Sequence, residues 1–316
     1  MTEPATASDL AARAQAGDRR ALARLLTEIE NRTATAEAAL RILYPLAGRA
    51  HLVGITGPPG AGKSTLISAL IGAVRATGRP VAVLAVDPSS PVTGGAILGD
   101  RVRMMDHAGD RDVFIRSMAS RGHAGGLATA TIAAAAVLDA AGFPIVFLET
   151  VGTGQAEVEV AAVADTTLVV EAPDMGDDVQ AIKAGLLEVA DIIVVTKGDR
   201  PGADRTAGRL RAMLGTALEV LVTAATNGAG IPELLDAIEG RAAGLGARGA
   251  GGDGARLARA RAQLEGIVAE RIQARILAAA RTAETEVLLR AIAAHEVDPY
   301  TAADRVIAVL DGAPRV

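Results

Sequence analysis

The run HLVGITGPPGAGKSTLISAL, residues 51–70, decides the fold. Its first six residues have the composition of a buried strand. Gly57 to Ser64 then fit the spacing Gly-x4-Gly-Lys-Ser, and a helix-compatible stretch follows. Glycines at that spacing let consecutive backbone N–H groups curl around a β-phosphate, and the helix N-terminus adds positive potential. Lys63 can reach the β- and γ-oxygens, and the Ser64 hydroxyl can ligate Mg²⁺. Gly57, Gly60, Ala61, Gly62, Lys63, Ser64 and Thr65 are therefore the candidate nucleoside triphosphate cradle, with Lys63 also a candidate catalytic group.

Outward from this loop, short β-rich runs alternate with helical stretches: VAVLAVD (81–87), DVFIRS (112–117), IVFLET (145–150), TTLVVEA (166–172), DIIVVTK (191–197) and LEVLVTAA (218–225). Several are nearly continuous Val, Ile and Leu, as expected of strands buried on both faces. The pattern predicts an α/β fold, a mostly parallel sheet with helices on both faces. Residues 1–50 and 255–316 read as amphipathic helices. The expected organisation is an N-terminal helical segment (1–50), a phosphate-loop domain (51–240), and a C-terminal helical extension (241–316). The last would begin with a hinge at GLGARGAGGDG, residues 244–254.

The base is read from the strand DIIVV and its end, Thr196-Lys197-Gly198-Asp199. Guanine offers N1–H and N2–H₂ side by side, and a carboxylate accepts both. Adenine would leave that carboxylate unpaired, a difference of several kcal/mol. Asp199 is thus the predicted base reader, and the Lys197 stem can stack on the ring. Thr196 stands where guanine readers usually carry Asn, and its hydroxyl can tie this loop to the phosphate loop. The next strand ends in Thr223-Ala224-Ala225-Thr226, where the Ala225 N–H would meet guanine O6. GTP and GDP are favoured over adenine nucleotides.

Carboxylates at the carboxyl edge of a parallel sheet lie where Mg²⁺ and the attacking water must be held. Asp87 ends one predicted strand. Glu149 ends another, in Glu-x-x-Gly, with the Gly152 N–H as a γ-phosphate sensor. Asp100, on a Gly-flanked loop, can complete the metal shell. The candidate metal set is Ser64, Asp87, Asp100 and Glu149. Asp177, Gln180 and Lys183, spaced by three, read on their own as a capped, solvated helix start.

Composition removes other classes. With no Cys, disulfides, thiolate metal sites and cysteine nucleophiles are absent. Three Phe, two Tyr and a net charge of −5 argue against a nucleic-acid partner. His51, His107, His123 and His295 lack metal-ligand spacing. The start of the sequence has no apolar targeting region, and the run 124–148 is interrupted by Asp139, Gly142 and Pro144. No membrane span is expected, and a cytoplasmic location follows by default.

VAVLAVDPSS, GGAILGDRVRM, FIRS, IVFLETVGTGQ and the 177–183 segment together resemble the MeaB/ArgK-type GTPases, over roughly residues 10–240. That resemblance implies a homodimer built through the C-terminal helices. It also implies a G-protein chaperone that gates cofactor loading into an adenosylcobalamin-dependent acyl-CoA mutase and protects that enzyme. It gives Asp177, Gln180 and Lys183 a role as a third switch, although Ala184 replaces the usual second lysine. Two other readings share the phosphate loop. A nickel-delivery GTPase would need Cys or clustered His, and a small-molecule kinase would need an acceptor pocket.

Overall fold

Seven strands lie close to the apolar runs that predict them: β1 His51–Thr56, β2 Val81–Asp87, β3 Val113–Ala119, β4 Ile145–Thr150, β5 Thr166–Glu171, β6 Ile192–Val195 and β7 Glu219–Val222. All the pairings are parallel, in the order β3-β2-β4-β1-β5-β6-β7. The computed structural model describes residues 6–87, 107, 109–119, 126–150, 160–173, 188–247 and 249–310. The chain divides into two compact units, residues 1–259 and 260–316.

In the first unit, helices cover both faces of the sheet. Helix α4 (Lys63–Ala76) buries Leu66, Ile67, Leu70, Ile71 and Val74, which recur at three- and four-residue intervals. With Leu234 and Ile238 of α7 (Ile231–Ala247), they pack on Val53, Ile55, Phe147 and Val170 of the strands. The opposite face of β2, β3 and β4 carries α5 (Gly126–Ala140), and α6 (Ala203–Leu214) packs on β6 and β7.

The N-terminal helices α1 (Ala7–Gln15), α2 (Arg19–Glu30) and α3 (Ala34–Leu43) share the α5 core, through Leu22, Leu25, Leu26 and Ile29 among others. Thr6, Asp18 and Thr33 cap them by accepting backbone N–H groups of the first turns. Polar ties fix them in place. Asp139 of α5 accepts the N–H groups of Gly48 and Arg49, and Arg116 of β3 pairs with Glu30 at 3.0 Å. Residues 1–50, read from sequence as a segment of their own, are thus built into the unit that holds the sheet.

The Gly-rich stretch 244–254, expected as a hinge, is helical on either side of residue 248. Helix α7 runs to Ala247 and α8 (Gly249–Ala279) starts two residues later. Each Gly costs about 1 kcal/mol against Ala in a helix, and the interspersed Ala, Leu and Arg favour helix. The second unit contains the rest of α8 with α9 (Ala283–Ala293) and α10 (Pro299–Leu310). Along α8, Leu264, Val268, Ile272 and Ile276 are exposed every fourth residue.

Candidate functional site

Parallel pairing places the carboxyl ends of β1, β4, β5, β6 and β7 along one edge. Strand β1 lies between β4 and β5, with Ile55 opposite both Glu149 and Leu168. Ligands of open parallel sheets bind at such a crossover point, outside the carboxyl ends.

The phosphate loop leaves β1 at Gly57, whose φ is +140°. A Cβ there would lie 2.2 Å from the Val170 carbonyl oxygen, so only glycine lets the loop pass this close to β5. Gly60 and Gly62 also have positive φ, and Gly62 caps α4 in the left-handed conformation. The first amides of α4, those of Lys63, Ser64 and Thr65, have no carbonyl partner within the helix and form a ready anion site. Lys63 is buried, and its Nζ donates to the carbonyls of Gly57 at 2.7 Å and Pro58 at 3.0 Å. Its cation therefore stands at the mouth of the loop. Thr65 is exposed, and Ala61 is buried beneath the loop.

Ser64 Oγ donates to Glu149 Oε1 at 2.6 Å, and both side chains are buried. Hydroxyl and carboxylate oxygens side by side beneath a phosphate cradle are the donor chemistry a hard cation such as Mg²⁺ requires. Asp87 is the last residue of β2, its backbone paired with Ala119 of β3. Asp100, Gly152, Asp177, Gln180 and Lys183 lie outside the described residues.

The candidate base loop is docked on the phosphate loop. The Thr196 N–H donates to the Glu171 carbonyl at 2.8 Å, and its hydroxyl reaches the carbonyls of Ala61 and, at 3.0 Å, Glu171. The tie expected of Thr196 is thus made by one buried oxygen. Lys197 adopts φ +53°, uncommon for a residue with a side chain, and its Nζ donates to the Gly60 carbonyl at 2.9 Å. Gly198 donates to the Thr223 carbonyl at 2.8 Å, which joins this loop to the turn after β7. A Cβ on Gly198 would come within 2.8 Å of the Val222 side chain. Asp199 is exposed, its carboxylate open to a ligand. Ala224 pairs with Ala229 across the following turn, and the Ala225 N–H makes no hydrogen bond among the described residues.

Sequence reading missed Glu171, the residue that closes β5. Its carbonyl receives both Thr196 donors, and burial pushes its carboxyl up to about 7. The available signal was positional: an acid ending an apolar strand run, as Asp87 and Glu149 do. Among the described residues no three His, Asp or Glu side chains gather into a metal cluster, and no helix is long and apolar enough to cross a membrane.

The sequence profile of the family described as methylmalonyl Co-A mutase-associated GTPase MeaB matches residues 22–283. A Pyrococcus abyssi protein named as a GTPase is 46% identical over 314 residues, which cover 96% of this chain and 97% of its own. The GTPase ArgK of Escherichia coli is 43% identical over 203 residues, 63% of this chain and 61% of its own. The mitochondrial methylmalonic aciduria type A homolog of Mus musculus is 42% identical over 147 residues, 46% of this chain and 35% of its own. Among solved structures, one described as a LAO/AO transport system kinase superposes with a TM-score of 0.70 at 26% identity, covering 98% of this chain and 99% of that one.

Proposed function

The chain belongs to the MeaB family of GTPases, and from that premise we propose that it is a Mg²⁺-dependent G-protein chaperone of an adenosylcobalamin-dependent acyl-CoA mutase. The observation that carries the guanine-nucleotide part is the docking of the Thr196–Asp199 loop onto the phosphate loop, through Thr196 to Ala61 and Lys197 to Gly60. That docking supports reading the two loops as parts of one guanine-nucleotide site. The mutase part rests on the family description and on the resemblance of the sequence.

In this reading Asp199 accepts N1–H and N2–H₂ of guanine, the Ala225 N–H meets O6, and the Lys197 stem covers the ring. The amides of residues 60–65 and the Lys63 ammonium hold the phosphates. Water attacks the γ-phosphorus in line, giving GDP and inorganic phosphate. Lys63 and the amides stabilise the charge gathered on the transferring group. Ser64, Asp87 and Glu149, with Asp100, would hold Mg²⁺, which would neutralise negative charge on the phosphates. Gly152 would sense the γ-phosphate. Asp177, Gln180 and Lys183 would report the nucleotide state to the mutase, and hydrolysis would time cofactor loading. Exposed Leu264, Val268, Ile272 and Ile276 would supply the contacts of a homodimer.

Two measurements test this. Titration calorimetry should show GDP bound far more tightly than ADP, and equal affinities would sink the base assignment. Affinity capture with GDP and with a non-hydrolysable GTP analogue should recover an adenosylcobalamin-dependent mutase. Recovery of no cobalamin enzyme in either state would overturn the chaperone role.

A further inference from the structure

The sheet has a second pole, where the chain enters β2, β3 and β4, away from the described phosphate-loop and base-loop residues. A cavity of about 460 Å³ opens at this pole beside the turn between α1 and α2. Leu22, Pro80 and Phe143 give it apolar walls, and Arg19, Arg111 and Asp112 give it polar ones.

Two arginines at this pole have no acidic partner among the described residues. The half-buried Arg19 guanidinium is held by neutral groups: Nη1 donates to the carbonyls of Asp110 at 3.2 Å and Arg111 at 2.7 Å, and the group lies 5.5 Å over the Phe114 ring. Neither Arg19 nor Arg111 has a carboxylate partner among the described residues. The acids nearby are already committed, since Arg75 pairs with both Asp110, at 2.8 Å, and Asp112, at 2.7 Å. Arg75 thus takes both carboxylates, which leaves Arg19 and Arg111 without one among the described residues. Arg19 is also pre-ordered, so pairing it with an anion costs little side-chain entropy.

The turn after α5 continues the cavity wall. Ala141, Gly142 and Phe143 line it, and Asp139, two residues earlier, tethers the loop at Gly48 and Arg49. On the chain leading into that loop, Ile42, Tyr44 and Leu46 are exposed, Tyr44 by 51%. A concave centre with apolar walls and two guanidinium groups that lack a carboxylate among the described residues has the anatomy of a protein docking site.

We propose that this pole docks an acidic segment of the mutase partner, with one of its apolar side chains in the cavity and flanking carboxylates on Arg19 and Arg111. The identity of the partner rests on the function proposed above. The six residues of β1, at about 3.3 Å each, separate this pole from the phosphate loop by about 20 Å. At that distance the γ-phosphate makes no direct contact with this pole. Docking here is a constant tether, equal in the GDP and GTP states.

The test uses the full-length chain and its Arg111→Glu and Tyr44→Ser variants. Arg111 and Tyr44 lie outside the nucleotide site, so basal GTP hydrolysis and thermal stability should match wild type. The probe is a fluorescent peptide alternating Glu with Leu around a central Phe, with a Gln-for-Glu control. Wild type should bind the acidic peptide alike with GDP and with a non-hydrolysable GTP analogue. Arg111→Glu should weaken binding about tenfold or more, Tyr44→Ser should weaken it less, and the control should bind poorly. Absence of peptide binding, equal binding by Arg111→Glu, or dependence on the nucleotide overturns the proposal. Capture of the mutase separates the two readings. If wild type and Arg111→Glu capture it equally, the docking surface is wrong and the chaperone role stands. If peptide binding needs Arg111 but no mutase is captured in either nucleotide state, the surface is supported and the chaperone role fails.

Discussion

Ser64 and Glu149, 85 residues apart in sequence, are joined by a buried 2.6 Å hydrogen bond at the floor of the phosphate loop. The bond ties the first turn of α4 to the end of β4, and it brings together two oxygen ligands suited to Mg²⁺. Glu149→Gln keeps an acceptor for the Ser64 hydroxyl while removing the charge. The variant should fold with a near-native melting temperature. Phosphate-release assays should show GTP hydrolysis lowered by about 10²–10³-fold, a loss that excess Mg²⁺ does not repair. A Mg²⁺ titration that overlays wild type would remove Glu149 from the metal site.

Asp199 and Thr196 should separate reading the base from holding the loop. Asp199 is exposed and carries no part of the fold, so Asp199→Ala should leave stability alone. It should weaken GDP binding by about 100-fold or more without improving ADP binding. Thr196→Val removes a buried hydroxyl that reaches two carbonyls. The variant should lose about 1–2 kcal/mol of stability, because the Ala61 carbonyl loses its donor in a buried place, while Glu171 keeps the backbone N–H of residue 196. Nucleotide affinity should fall less than for Asp199→Ala. Calorimetry with both variants and both nucleotides checks the order.

Gly57 and Gly60 share positive φ but differ in surroundings. A Cβ at Gly57 meets the Val170 carbonyl at 2.2 Å, whereas one at Gly60 meets nothing within 4 Å. Gly60→Ala should therefore cost only left-handed strain, about 1–2 kcal/mol. Gly57→Ala must also push the loop away from β5, and should cost more than about 2 kcal/mol and abolish nucleotide binding. Urea midpoints and GDP titrations of the two variants give the comparison.

The parts of this molecule legible in its sequence are those whose physics is local. Gly57–Ser64 shows its role because strand, glycines, lysine and helix start follow one another without a gap. The seven strands were visible as apolar runs because a covered parallel sheet buries both faces of each strand. Residues joined across long stretches of chain were not visible. The stripe Leu22, Leu25, Leu26 and Ile29 announces a buried helix face but not that α5 and β3 cover it. Pairs such as Arg116 with Glu30 and Asp139 with Gly48 carry no local mark. The helical path on either side of residue 248 was hidden for a related reason, since glycine content is a weak prior that neighbouring helix formers outweigh.

Glu171 was hidden in the same way, because its burial comes from neighbouring strands and loops rather than from its own sequence. Its carboxyl titrates at about 7 in the folded chain, against 4.5 for an unburied glutamate, and desolvation is the cause. The folded state therefore binds the proton more tightly than the unfolded state. The stabilisation this gives is complete below about pH 4.5 and is lost as pH rises to about 7. Glu171→Gln keeps the shape and removes the titration. Relative to wild type its melting temperature should rise between pH 5 and pH 8, ending about 2–4 °C higher for each kcal/mol of relieved burial. Because the Glu171 carbonyl, not its carboxyl, holds Thr196, GDP affinity at pH 6 should be unchanged. A melting difference that stays flat across that range would show that the carboxyl is solvated at neutral pH.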